Sequence, residues 1–203
     1  TRDEGAAEVS ESLGARAAVV VPLMRANFLR GVIYLNHREV RAWPAEEISL
    51  VEEVAARIRG QGGKASVVAG DACRPETHRR LISAAVAEFG GLDIAFNNAG
   101  ATGPIAPLAD IAFADWQTTI AANLHSAFLG SAHQIPAMLE RKGGAIIFTS
   151  SFVGTSVGLP GMAAYAAAKA GLMGLVKGIA ADYGDKGIRA NALLPGGVDT
   201  AMA

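Results

Sequence analysis

The chain has 203 residues, a net charge of −1, and is 51% hydrophobic and 18% charged, with 24 glycines. This suits one compact α/β domain with a substantial core and argues against disorder. The charge balance gives no basic surface for nucleic acid. The lone Cys73 excludes an internal disulfide or a cysteine-based metal site, and the four histidines show no ligand spacing, so no metal is expected.

Residues 1–13 are polar and acidic. Residues 17–23 and 31–35 are apolar runs that predict two buried strands. The short link between them suits a hairpin better than a crossover helix. Pro44 marks a helix start, with Glu46 and Glu47 in the first turn. Its buried stripe is expected to be Ile48, Val51, Val54, Ala55 and Ile58, and Gly60 to Gly63 ends it. This strand–strand–helix block, VVVPLMRANFLRGVIYL followed by RAWPAEEISLVEEVAARI, resembles the C-terminal half of a GAF sensor domain (about 13–60).

Residues 64–69 predict a strand ending at Asp71. Residues 75–89 predict an amphipathic helix burying Leu81, Ile82, Ala85, Val86 and Phe89. Residues 92–96 predict a strand buried on both faces. It runs into Asn97-Asn98-Ala99-Gly100. Residues 113–141 read as one long helix, with Pro136 the expected bend and Asn123 inside it. A strand at 145–148 delivers Thr149, Ser150 and Ser151, then a Gly/Pro-rich loop leads into a small-residue helix. That helix carries Tyr165 and Lys169, four apart and so on one face. An ammonium beside a phenol lowers the phenol's pKa from about 10 and makes it a usable acid or base. Residues 188–194 form the last strand, followed by Pro195-Gly196-Gly197-Val198-Asp199-Thr200.

In this order the blocks from about residue 62 to 203 resemble the short-chain dehydrogenase/reductase family. The resemblance implies an incomplete Rossmann-like, doubly wound, mainly parallel sheet with helices on both faces. The expected division is a partial GAF-like segment at 1–61 and a dehydrogenase core at 62–203, truncated at both ends. The implied activity is hydride transfer between NAD or NADP and a carbonyl or alcohol substrate. Catalytic roles fall on Tyr165 as acid/base, Lys169 as its modulator and ribose ligand, and Asn123 as support for a water relay. The substrate-orienting hydroxyl is Ser151 by the S-x-x-G match. Its spacing to Tyr165 is one residue longer than the commonest in the family, so Ser150 stays an alternative.

The resemblance places Asp71 and Ala72 at the adenine and Asn98, Ala99 and Gly100 beside the ribose. It places Pro195, Gly196 and Val198 along the nicotinamide and Thr200 on its carboxamide. It implies a homo-oligomer through the two long helices, no membrane segment and a cytoplasmic protein. The family's TGxxxGxG turn is absent from the sequence. Gly60-Gln61-Gly62-Gly63-Lys64-Ala65 follows a helix instead of a strand. Weak or lost NAD(P) binding is therefore expected. The alternative reading is an inactive chimeric remnant, serving dimerisation or regulation.

Overall fold

The structure, a computed structural model, describes residues 45–197 together with two short strands, β1 (Met24–Arg25) and β2 (Phe28–Leu29). These pair antiparallel, Met24 with Leu29 and Arg25 with Phe28, inside the segment expected to link a hairpin. The apolar runs at 17–23 and 31–35, which carry the GAF-like resemblance, lie outside the described residues.

Helix α1 (Ala45–Gly60) begins just after Pro44. Ala55 is fully buried and Ile58 half-buried, but Val54 is 44% exposed, so the buried stripe is narrower than expected. The side chains of Ile48 and Val51 lie outside the described residues. The Gly63 N–H closes the helix on the Ile58 carbonyl at 3.0 Å, as the glycine run predicts.

The strand expected at 64–69 does not form; this stretch is irregular. A strand exists only by hydrogen-bonding to a neighbour, and among the described residues none lies beside it. Helix α2 (Pro75–Phe89) starts with Pro75 in its first turn and ends at Gly90 with φ 81°. It buries Thr77, His78, Leu81 and Ala85, whereas Val86 points outward at 46% exposure.

Three parallel strands form the sheet in spatial order β3 (Ile94–Asn97), β4 (Gly144–Thr149), β5 (Ile188–Leu193). The register pairs Ala95 with Ile146 and Ile146 with Ala190. Between β3 and β4 runs one continuous helical stretch: α3 (Phe113–Ile120), a π turn (Ala121–His125) and α4 (Ser126–Glu140). The irregularity therefore falls at Asn123, and α4 passes through Pro136 unbroken. Helix α5 (Ala163–Tyr183) connects β4 to β5.

Ile146, Phe148 and Ile188 share a core with Ile135 and Met138 of α4 and Leu172 and Ile179 of α5. The opposite sheet face carries Phe96, Ile147, Arg189, Asn191 and Leu193, all half-buried or exposed. Burial on both faces, expected for residues 92–96, is thus met on one side only, because the apolar helix faces are gathered there. The parallel order leaves the C-terminal ends of all three strands, and the loops that follow them, at one edge. In open α/β sheets this is where ligands bind.

Candidate active site

The tip of β4 sends its successive side chains in opposite directions. Ser150 is buried, and its hydroxyl donates to the Lys169 backbone carbonyl at 2.9 Å. Ser151 turns the other way: its Oγ accepts from the Val153 N–H at 3.1 Å and hydrogen-bonds the Tyr165 phenol. The two serines therefore differ in what they hold, one a helix and the other a phenol. The loop beyond them folds against α5 at Gly154, whose φ is +86°; a Cβ there would collide with the Ala166 backbone.

Tyr165 and Lys169 stand one turn apart on α5, both buried, with Nζ 5.5 Å from the ring centre. The Lys169 ammonium donates to the Thr149 carbonyl at 2.7 Å. Burial pushes its pKa down from 10.5 to about 8, since removal from water penalises the charged form. The phenol differs from expectation. Burial raises its pKa, and the opposing pull comes from the Ser151 hydrogen bond. Lys169 does not lower it, because the amine is itself desolvated and is turned onto a carbonyl.

Asn123 reaches the same place from the π turn. A π turn adds a residue to the helix and re-aims a side chain. Here the amide Nδ2 donates to the Ala101 carbonyl at 2.7 Å and the Thr119 carbonyl at 2.8 Å. The Oδ1 accepts from the Ala101 N–H at 3.2 Å. Both amide protons are therefore engaged in holding the loop after β3. A Cβ on Gly100 would sit 2.7 Å from this Oδ1 and 3.0 Å from Lys169 Nζ. Only glycine lets the two groups approach across the backbone.

The Asn pair after β3 divides its work. Asn98 accepts from the Thr149 hydroxyl at 2.6 Å and so ties β3 to β4. Asn97 faces inward and exchanges two hydrogen bonds, of 3.0 and 2.8 Å, with Gln134 of α4. Gln134 and Thr119 were not singled out from the sequence, and Thr149 was read there only as one of the hydroxyls at the strand tip. A Gln on the apolar face of a helix was the available signal for the first. Ala99 lines a small cavity with Asn97, Asn123, Ser126, Ala127 and Leu172.

The remaining expected residues are more dispersed. Asp71 forms a local turn, its Oδ1 accepting from the Cys73 N–H at 2.8 Å, with Arg74 at 3.9 Å. Ala72 is buried, and its carbonyl is held by His78 Nε2 at 2.7 Å. The Pro195 carbonyl accepts from the Phe152 N–H at 3.3 Å, bringing the loop after β5 against the loop after β4. Gly196 is exposed. Val198 and Thr200 lie outside the described residues. Gly60 to Gly63 close a helix and lead into irregular chain, which is not the strand–turn–helix setting of a phosphate loop.

Among the described residues, no helix is long and apolar enough to cross a membrane. A family model for the short chain dehydrogenases matches residues 39–203 and so takes in α1. The chain is 36% identical over 155 residues to cyclohexanol dehydrogenase of Acinetobacter sp. (strain SE19), covering 76% of this chain and 61% of that protein. It superposes with a TM-score of 0.73 and 38% identity on a 3-ketoacyl-ACP reductase from Sinorhizobium meliloti 1021, covering 76% of this chain and 61% of that one. A 7α-hydroxysteroid dehydrogenase complexed with NADH and 7-oxo glycochenodeoxycholic acid matches with a TM-score of 0.68 and 31% identity, over 74% of this chain and 58% of that one. The chain spans about three fifths of the length of these relatives. The parallel sheet, the Ser–Tyr–Lys arrangement at its edge and these matches together place the chain in the short-chain dehydrogenase family.

Proposed function

We propose that this chain carries the catalytic end of an oxidoreductase that moves hydride between NAD or NADP and a carbonyl or alcohol. The observation that carries the reading is the meeting of Ser151, Tyr165 and Lys169 at the tip of β4, with Asn123 facing Lys169 across Gly100.

The residues at hand fit the nicotinamide end of the cofactor. Lys169 and Tyr165 would hold its ribose, Asn98, Ala99 and Gly100 would flank it, and Pro195 and Gly196 would lie along the ring. Asp71 and Ala72 would meet the adenine. The pyrophosphate has no matching cradle in Gly60 to Gly63, so weak nucleotide binding is the expected consequence. When bound, the nicotinamide supplies or accepts the hydride.

The chain's own groups handle the proton. Tyr165 carries its proton at neutral pH, as a phenol does, and would pass it to a carbonyl oxygen during reduction; burial raises its pKa and the Ser151 hydrogen bond pulls it back down. Ser151 would hold the same oxygen. Lys169, with a pKa of about 8, can exchange a proton close to neutrality. Asn123 acts as a positioning residue, since its amide protons fix the Ala101 peptide beside the amine. Pairing of two copies through α4 and α5 is supported by Gly174 and Gly178, which face open space, and by the exposed Phe128 on α4.

Titration into NADH and NADPH, followed by nucleotide fluorescence, is expected to give affinities weaker than micromolar. Turnover of a cyclic alcohol at high nucleotide concentration should vanish in Tyr165→Phe; retained turnover would remove Tyr165 from its role.

A further inference from the structure

We infer that Thr155 is a positioning residue of the catalytic corner: its hydroxyl holds the Ser151 peptide and so aims the Ser151 hydroxyl at Tyr165. The inference deepens the oxidoreductase reading and rests on it for the reacting oxygen, while the aiming itself is a property of the folded chain.

A side chain on a loop keeps its direction only as far as the backbone beneath it is fixed. The peptide between Ser151 and Phe152 is held on both sides. Its N–H donates to the Pro195 carbonyl at 3.3 Å. Its carbonyl accepts from the Thr155 hydroxyl at 2.5 Å. Among the described residues no backbone N–H reaches that carbonyl, so on this side the hold comes from a side chain. With the peptide plane fixed, Ser151 Oγ sits where the Val153 N–H donates to it at 3.1 Å and where it hydrogen-bonds the Tyr165 phenol.

The turn that follows puts Thr155 in place for this. The Phe152 carbonyl accepts from the N–H groups of Thr155 at 3.3 Å, Ser156 at 2.9 Å and Val157 at 3.1 Å. It also lies 3.3 Å from the Thr155 hydroxyl, the longer of that group's two contacts. A hydroxyl has one proton to give, and the nearer and less occupied acceptor is the Ser151 carbonyl. The Gly154 N–H donates to the Val157 carbonyl at 2.8 Å, and Gly154 lies against the Ala166 backbone. The turn is thereby seated on α5, the helix that carries Tyr165, so the Thr155 hydroxyl and the phenol are placed by one element.

Amide hydrogen exchange followed by NMR on the nucleotide-free chain tests the aiming without any need for turnover. Thr155→Val keeps the shape and removes the hydroxyl. The Phe152 and Val153 amides should then exchange about tenfold faster, the scale of one lost hydrogen bond, while the α5 amides keep their wild-type rates. Thr155→Ser should restore slow exchange at both, and Ser151→Ala should speed Val153 alone. The Tyr165 phenol should titrate higher in Thr155→Val than in the wild type, as in Ser151→Ala, because the Ser151 hydrogen bond opposes the upward push of burial. Turnover of cyclohexanone at high nucleotide concentration adds a cycle: Thr155→Val should lower kcat about tenfold in the wild type and leave it unchanged in Ser151→Ala. Unchanged exchange at Phe152 and Val153, exchange raised equally along α5, or a further tenfold loss of kcat in Ser151→Ala would overturn the inference; Thr155→Ala gives the same reading if the valine variant does not fold. Failure of the oxidoreductase reading shows separately, as the expected exchange pattern in a chain that turns over no ketone with either nucleotide.

Discussion

The catalytic corner and the turn at Asp71 are built in opposite ways. At the catalytic corner the polar groups are held by distant parts of the chain: Lys169 by Thr149, Asn123 by Ala101, Ser150 by Lys169 and Thr149 by Asn98. At Asp71 the carboxylate serves its own turn, two residues on, with one long contact to Arg74. The long-range contacts make a preorganised corner, which is what electrostatic catalysis requires. The local contacts make a turn that would form in many settings. One region is specified by the whole fold, and the other by the four consecutive residues from Asp71 to Arg74.

The largest test of that contrast is Tyr165→Phe, which removes the acid/base and should cut turnover by about a thousandfold or more, read from kcat. Asn123→Ala comes next. It leaves the Ala101 and Thr119 backbone groups buried without partners, and the destabilisation expected in urea denaturation is about 3 kcal/mol. Lys169→Met should abolish turnover as well, but its stability effect runs the other way with pH. In the folded chain the amine titrates near 8, below its unfolded value of 10.5. The unfolded chain therefore binds the proton more tightly, and wild-type stability rises as pH goes from about 8 to 10.5, with the full penalty present below 8. That slope should disappear in the methionine variant when denaturation is compared at the two ends of the window.

Smaller effects sharpen the comparison. Asn97→Leu and Gln134→Leu should each cost about 2 kcal/mol, and the double variant clearly less than the two together, because either single change strands one buried amide. Asp71→Ala, in the locally held turn, should change stability by less than about 0.5 kcal/mol. A loss comparable with that of Asn123→Ala would mean that the two regions are not built differently after all.

Much of the corner was legible from residue order. An apolar run ending in hydroxyls, followed by Tyr and Lys four apart, predicted a strand tip facing one side of a helix, and β4 and α5 form over nearly the expected residues. Spacing left Ser150 and Ser151 open, since only three-dimensional direction shows which hydroxyl meets the phenol. The pKa of Tyr165 was also beyond reach. It depends on how deeply the pair is buried, and spacing reports only that an amine is near. The stretch 64–69 misled for a different reason: its apolar end, Val67-Val68-Ala69, suits a strand, but a strand is a property of two segments. The π turn left no periodic mark, because one extra residue in a long apolar helix barely disturbs the pattern.

The π turn bears on how this helix tolerates insertions and deletions. Each residue along an α-helix advances the direction of its side chain by about 100°. Removing one alanine just ahead of Asn123 could let the helix close into a regular spiral and gain local regularity. The same edit would swing the carboxamide away from the Ala101 peptide, leaving α4 seated on the sheet and the loop after β3 untethered. A length variant here should look well folded by circular dichroism and yet have lost its grip on the catalytic corner. Regularity of the backbone and competence of the corner are set against each other at this point.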